Sequence, residues 1–183
     1  MSGVQYLALL RGINVGGKNL IKMADLRTAF EDLGYDDVAT YIQSGNVLFG
    51  APRQKREQLA ARLEKALSRR FGVELKVVLL TEASLRAVVE DAPRGFGGAS
   101  HLCDVVFLRK PLTVKRAFAS LEMKEGVDRA WPGKGVLYMS RLRSKATSSR
   151  LNKIASTPEY KNMTIRNWNT TQKLVGVMDS RAG

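Results

Sequence analysis

The alternation of short apolar runs with helix-like periodicity restricts what this chain can fold into more than any other feature of its sequence. In the first half, these patterns predict the order strand, helix, strand, strand, helix, strand. The predicted elements are a strand over Val4–Leu10, a helix over Met23–Leu33 ended by Gly34, strands over Val38–Gln43 and Asn46–Phe49, a helix over Leu59–Phe71 ended by Gly72, and a strand over Val73–Leu80. This order is that of the split βαβ arrangement in a ferredoxin-like unit.

The second half repeats the same order of patterns. The predicted elements are a strand over Cys103–Leu108, a helix over Val114–Leu121, a hairpin of Arg129–Trp131 and Val136–Ser140, a helix over Ser148–Ala155, a short strand over Met163–Arg166, and a final helix carrying Leu174, Val177 and Met178. We therefore predict an α+β protein of two ferredoxin-like βαββαβ units. The predicted boundaries are 1–80 for the first unit, 81–99 for a linking helix and glycine-rich connector, and 100–183 for the second, strongly basic unit with its C-terminal helix.

Positive charge is concentrated in the second half of the chain. Thirty Lys and Arg against 17 Asp and Glu give the 183 residues a formal net charge of +13. Residues 1–91 carry 13 basic and 11 acidic side chains, whereas residues 92–183 carry 17 basic and 6 acidic ones. A merely solubilising surface charge is one interpretation. Because such a charge has no reason to collect in one segment, the distribution favours an anion-binding face.

The glycine-rich loop after the first strand contains a sequence that matches a phosphate-binding motif. Residues 12–18 read GINVGGK, which fits the GxxxxGK pattern of a P-loop between a strand and a helix. However, Asn19 stands where a P-loop needs Ser or Thr for magnesium, and the helical period begins several residues after Lys18. The split βαβ order is also not the parallel sheet that the motif requires. The sequence therefore argues against nucleotide hydrolysis.

A simpler role for the same loop is an anion nest, in which consecutive backbone N–H groups hold a phosphate without catalysis. Its predicted members are Arg11, Gly12, Asn14, Gly16, Gly17, Lys18, Asn19 and Lys22. The alternative is a tight crossover in which the glycines permit positive φ and the asparagines cap turns. The sequence leaves both open. A second turn, at Ser44, Gly45 and Asn46, is predicted between the two following strands.

Two stretches of the basic half are candidates for nucleic-acid binding. Ser140–Arg150 combines basic residues, which neutralise phosphate, with hydroxyl groups, which donate to its oxygens. Thr164–Thr171 adds a predicted helix start that would favour phosphate. The predicted contacts are Arg141, Arg143, Lys145, Arg150, Lys153, Arg166, Asn167, Trp168, Asn169 and Thr170. Tyr41, Tyr138 or Trp168 would stack on bases, although a core position is the preferred interpretation for Trp168.

Few residues offer catalytic or metal chemistry. With one cysteine and one histidine, the chain has neither a disulfide framework nor a multi-histidine metal site. His101 and Cys103 are two residues apart, a spacing that is more typical of core packing than of a nucleophile. No apolar run approaches the roughly 20 residues needed to span a bilayer. We therefore expect a cytoplasmic protein with no cofactor, metal or membrane partner, and we identify no catalytic residue.

Two blocks of sequence resemble a known family. Residues 6–49 (YLALLRGINVGGKNLIKMADLRTAFEDLGYDDVATYIQSGNVLF) and residues 164–174 (TIRNWNTTQKL) are similar to the opening and closing signatures of domain-of-unknown-function family 1697. The resemblance implies a bacterial α+β protein with ferredoxin-like halves, and it implies no activity. The family's signature positions fall on Arg11, Gly12, Asn14, Gly16, Gly17, Lys18, Asn19, Ser44, Gly45, Asn46, Arg166, Asn167, Trp168, Asn169 and Thr170.

The function predicted from the sequence is non-catalytic binding of nucleic acid, RNA or single-stranded, through the basic second half. The alternative is an enzyme or sensor for a phosphorylated small molecule that uses residues 11–22 as an anion nest. A third interpretation is an interaction module whose charge is incidental to its function.

Overall fold

The computed structural model describes residues 3–181 and confirms the predicted α+β class, with two four-stranded antiparallel sheets. The chain divides into two compact units. Residues up to Ser84, together with those from Gly176 onward, form the first unit, and Leu85–Val175 forms the second. Among the residues that the structure describes, no helix combines the length and the apolar character needed to cross a membrane.

The first unit contains six elements of the predicted kind in the predicted order. They are β1 (Val4–Arg11), α1 (Met23–Asp32), β2 (Asp36–Tyr41), β3 (Asn46–Ala51), α2 (Arg56–Phe71) and β4 (Lys76–Thr81), and their strands lie in the order β2-β3-β1-β4. Because β1 is central, its apolar run is buried on both faces of the sheet. Leu26 and Phe30 of α1 and Leu59 and Leu63 of α2 pack against one face.

The second unit has the same strand order as the first, but the segment that connects its last two strands is different. It contains most of α3 (Glu82–Glu90), β5 (His101–Leu108), α4 (Val114–Ala119), β6 (Asp128–Pro132), β7 (Val136–Leu142), β8 (Met163–Asn167) and the beginning of α5 (Trp168–Asp179). Its strands lie in the order β6-β7-β5-β8.

The α-helix predicted over Ser148–Ala155 is wrong in type. The connection from β7 to β8 consists of three 3₁₀ helices, over Arg143–Ser148, Leu151–Ser156 and Pro158–Asn162. The buried residues of the middle helix are Leu151 and Ile154. They are three residues apart, which places both on one face of a helix with three residues per turn. Hydroxyl side chains in the segment also bond to nearby backbone groups, which competes with α-helix formation.

Candidate functional site

The glycine-rich loop after β1 turns back on itself within two residues. Val15 and Lys18 form an antiparallel bridge, and the Lys18 N–H donates to the Val15 carbonyl at 3.0 Å. Gly16 and Gly17 lie at the centre of this turn with φ of +57° and +74°. A type I′ turn requires positive φ at both central residues, which glycine adopts without strain. The turn therefore accounts for both glycines.

Two asparagines brace this loop. Asn14 and Asn19 have φ of +52° and +50°, in the left-handed region that asparagine tolerates. The Asn19 side-chain amide donates to the Gly12 carbonyl at 2.8 Å. The Asn14 amide donates to the carbonyls of Ile21 at 3.1 Å and Gln43 at 2.9 Å, and its Oδ1 accepts the Ile21 N–H at 2.9 Å. Asn14 thus ties the loop to the turn between β2 and β3.

The predicted turn at Ser44, Gly45 and Asn46 packs directly against the loop. Gly45 has φ of +77°, and a Cβ there would lie 2.7 Å from the Cδ1 atom of Ile13. The fully buried Asn46 donates from its side-chain amide to the Tyr41 carbonyl and to Ser44 Oγ, both at 2.9 Å. These contacts give the turn residues a structural role.

The loop has the geometry of the turn-and-cap alternative. The sheet beside it is antiparallel and α1 begins only at Met23, so this segment lacks the strand–loop–helix arrangement of a P-loop. The backbone N–H groups of Asn14, Lys18 and Ile21 are bonded within the protein. Lys18 and Lys22 are exposed, while Arg11 is half-buried at the end of β1. Phosphate binding by this loop stays a prediction.

The basic segment after β7 is held by a buried carboxylate. Asp128 is 8% exposed and accepts hydrogen bonds from Ser149 Oγ at 2.6 Å and from the N–H groups of Arg150 at 2.8 Å and Lys124 at 2.9 Å. Burial on its own would raise the pKa of Asp128, but these hydrogen bonds outweigh burial and hold the pKa below its usual value. The ionised carboxylate therefore fixes the Ser149 side chain and the Arg150 backbone.

Arg141, a predicted phosphate contact, is already paired. Its guanidinium forms an ion pair with Asp104 and a hydrogen bond with Asn152, and both charged side chains are largely buried. Burial raises the pKa of Asp104, and the charge of Arg141 opposes the rise. The two charges largely neutralise each other, so Arg141 is a poorer phosphate ligand than the sequence suggests.

Of the other four predicted cations in this segment, two also have protein partners. Arg143 donates to two backbone carbonyls, at 3.1 and 3.4 Å. Lys153 lies 2.6 Å from Glu122 in an exposed ion pair, which contributes little to stability. Within residues 3–181, the exposed side chains of Lys145 and Arg150 have no carboxylate within ion-pair distance. Among these five predicted cations, Lys145 and Arg150 are thus the ones most available to an anion.

The closing block around α5 is mostly structural. Arg166 is 8% exposed, and desolvation lowers its pKa to about 10, so its guanidinium is not the surface phosphate contact that the sequence predicts. Asn167 Oδ1 accepts the Thr170 N–H at 2.7 Å and caps the first turn of α5. Thr170 is buried, whereas Asn167 and Asn169 are exposed.

Two of the three predicted base-stacking residues lie in an aromatic cluster. Phe96 meets Trp131, Tyr138 and Trp168 edge-on, with ring centroids 6.1, 5.4 and 5.0 Å apart. Trp168 is 8% exposed and Tyr138 is 2% exposed. The Tyr138 hydroxyl donates to the Val88 carbonyl at 2.6 Å, and burial raises its pKa to about 12. Trp168 therefore has the core position preferred for it from the sequence, and base stacking on Trp168 or Tyr138 stays a prediction that their buried rings do not support.

Cys103 is buried, and its surroundings are those of a core residue. Gly97 donates its N–H to Cys103 Sγ at 3.3 Å, and Ser140 Oγ lies 3.7 Å from the sulfur. The His101 ring instead contacts Ser100 Oγ at 2.9 Å. In the part of the chain that the structure describes, no group of three or more His, Cys, Asp or Glu side chains is placed to hold a metal ion.

Comparisons with known proteins identify relatives by sequence and by fold. The model of a family described as "Protein of unknown function (DUF1697)" matches residues 4–138. The structure of conserved bacterial protein SP0830 from Streptococcus pneumoniae is similar, with a TM-score of 0.85 and 28% sequence identity over 97% of this chain and 99% of that one. Among curated proteins, none matches the chain.

Proposed function

This chain belongs to the DUF1697 family of unknown function, and we propose that it binds RNA or single-stranded DNA without catalysis, through Lys145 and Arg150 of its second unit. The observation that carries the proposal is the Asp128 anchor. Its hydrogen bonds to Ser149 and to the Arg150 backbone fix the chain at Arg150, and the Ser148 hydroxyl donates to the Lys145 carbonyl at 2.9 Å. A pre-ordered segment loses less conformational entropy when a ligand binds than a mobile one does.

The burial of Trp168 and Tyr138 shapes the binding mode that we propose. With these rings unavailable for stacking, the contacts are chiefly from Lys and Arg to phosphate. Phosphate contacts position a protein on nucleic acid but carry no sequence information directly. Binding is therefore independent of sequence and sensitive to salt, because each neutralised phosphate releases counterions.

The phosphorylated small molecule predicted for residues 11–22 has less support. Asn14 and Asn19, its predicted amide contacts, use their side chains to brace the loop. Lys18 is exposed, but its backbone N–H is bonded to Val15. We therefore place the proposed nucleic-acid binding in the second unit.

Removing the two exposed cations tests this proposal. The Lys145→Ala/Arg150→Ala double variant should bind labelled RNA and single-stranded DNA roughly tenfold or more weakly at about 0.1 M salt, and the slope of log affinity against log salt should fall by about 1.4. The matched control is Lys65→Ala/Arg69→Ala, on the exposed face of α2, which removes the same net charge. Filter binding or fluorescence anisotropy from low to physiological salt measures both quantities.

Two results would contradict the proposal. If both double variants weakened nucleic-acid binding equally, the overall charge of the protein, and not Lys145 and Arg150 in particular, would attract the nucleic acid. Absence of saturable binding by the unaltered, nuclease-treated protein would exclude the function outright.

We also propose that both halves are ferredoxin-like units and that the protein works in the cytoplasm. The matching strand orders β2-β3-β1-β4 and β6-β7-β5-β8 support the first point. The 3₁₀ connection in place of a second helix is the main departure from it. A single, unpaired cysteine supports the second point.

A further inference from the structure

Three large aliphatic side chains project into solvent from the first unit. Leu20 is 76% exposed, Val15 is 69% exposed and Ile42 is 49% exposed. Single exposed apolar residues are common on protein surfaces, but a group of them marks an interaction site.

The three residues share one end of the unit because they neighbour the hydrogen-bond partners of one side chain. Asn14 bonds to Ile21 and to the Gln43 carbonyl. Val15 follows Asn14 in the chain, Leu20 precedes Ile21, and Ile42 precedes Gln43. We call Val15, Leu20 and Ile42 the apolar tip. The braced loop and the β2–β3 turn together hold it in place.

The backbone at Ile42 has an unusual conformation. Its φ is +51°, in the left-handed region that a β-branched residue rarely adopts. Such a conformation is strained and persists where the surrounding structure imposes it. Here the strained residue also has its side chain half exposed to solvent. The fold thus holds the large apolar side chain of Ile42 in solvent, without the stabilisation that its burial would contribute.

Two exposed lysines flank the apolar tip. Lys18 lies in the turn between Val15 and Leu20, Lys22 follows shortly after, and both are exposed. Within residues 3–181 neither lysine has a carboxylate at ion-pair distance. Glu74, whose carbonyl lies beside Gly12, is paired with Lys76 at 2.8 Å. The surface is therefore apolar at its projecting side chains and cationic beside them.

We propose that the apolar tip docks on the surface of an anionic lipid bilayer. Such a surface presents negative headgroups over a deformable apolar layer, which complements projecting aliphatic side chains flanked by lysines. A second copy docked tip to tip is a poor occupant, because Lys18 and Lys22 would then face the same two lysines of the other copy. The sequence-based expectation of no membrane partner considered a spanning segment, whereas this contact is peripheral.

Vesicle sedimentation with matched variants tests the proposal. The unaltered protein should bind vesicles of phosphatidylcholine mixed with phosphatidylglycerol and should bind pure phosphatidylcholine much more weakly. The Val15→Ser/Leu20→Ser/Ile42→Ser triple variant should bind the anionic vesicles about tenfold or more weakly. The control is Leu33→Ser/Met123→Ser, which alters aliphatic side chains that are 43% and 41% exposed elsewhere. All these variants keep both lysines and the net charge.

A second measurement does not depend on loss of binding. A Leu20→Trp variant should show a blue shift of tryptophan emission when anionic vesicles are added, because its indole enters the interface. The proposal is overturned if the triple variant and the control bind alike, if the unaltered protein does not bind anionic vesicles, or if Leu20→Trp shows no shift. Failure of nucleic-acid binding is a separate result, since Lys145 and Arg150 are unchanged in these variants.

Discussion

Gly97→Ala is expected to lower the free energy of unfolding of the second unit by about 2–5 kcal/mol, the combined cost of a left-handed alanine and an overpacked core. Gly97 has φ of +88°, and a Cβ there would lie 2.4 Å from Cδ1 and Nε1 of Trp168. The indole cannot retreat easily, because it is buried against Phe96 with ring centroids 5.0 Å apart. The added methyl group must therefore displace either the ring or the backbone.

Gly95→Ala separates these two costs. Gly95 lies in the same connector with φ of +78°, but a Cβ there would have nothing within 4 Å. This variant should lose only the roughly 1–2 kcal/mol of the left-handed conformation. Chemical denaturation followed by tryptophan fluorescence and by circular dichroism measures both. Equal losses in the two variants would show that Trp168 does not pack on Gly97 as described.

Periodicity predicted most of the fold because each element has a buried face of regular spacing. The strand over Val4–Leu10 and the helix over Leu59–Phe71 are confirmed to within a few residues as β1 and α2. Prediction failed over Ser148–Ala155, where hydroxyl side chains and the contacts of Asp128 favour 3₁₀ geometry. Those contacts join residues about twenty positions apart, which a local pattern does not show.

The candidate site was less predictable than the fold, because burial separates residues of the same type. Arg141, Lys145 and Arg166 look alike in a basic sequence. In the structure, Arg141 is paired with Asp104, Arg166 is buried, and Lys145 is exposed. The sequence pattern does not single out Asp104 or Asp128, although acidic residues are rare in this half. An isolated acid among many bases is a signal that could have directed attention to them.

Asp128→Asn should destabilise the second unit by about 2–4 kcal/mol at neutral pH, since it weakens several hydrogen bonds to a buried charge. The asparagine side chain keeps one oxygen as an acceptor. In place of the second carboxylate oxygen it has an NH₂ group, which donates hydrogen bonds. Oδ1 accepts from Ser149, while Oδ2 accepts from Lys124 and Arg150. With the NH₂ group toward Ser149, the Ser149 hydroxyl must change from donor to acceptor, and with the NH₂ group toward Lys124 and Arg150, both backbone N–H groups lose their acceptor. Denaturation midpoints near pH 7 give the size of the loss.

The pH dependence of this loss has a definite sign. Because folding lowers the pKa of Asp128 from about 3.8, its contribution is complete above that pH and is lost as the pH falls through the lowered value. The contribution of Asp104 to the free energy of unfolding changes with pH in the opposite direction. Folding raises its pKa, so acidification toward 3.8 relieves a penalty that is present at neutral pH.

A pair of variants separates the two carboxylates. The stability difference between the unaltered protein and Asp128→Asn should stay constant from pH 7 to about 5 and should shrink below about 3.8. The corresponding difference for Asp104→Asn should instead change in the mildly acidic range, above 3.8, where only a raised pKa titrates. A difference for Asp128→Asn that disappears already near pH 5 would mean that Asp128 is not held ionised. The anchored segment on which the proposed binding function rests would then lose its physical basis.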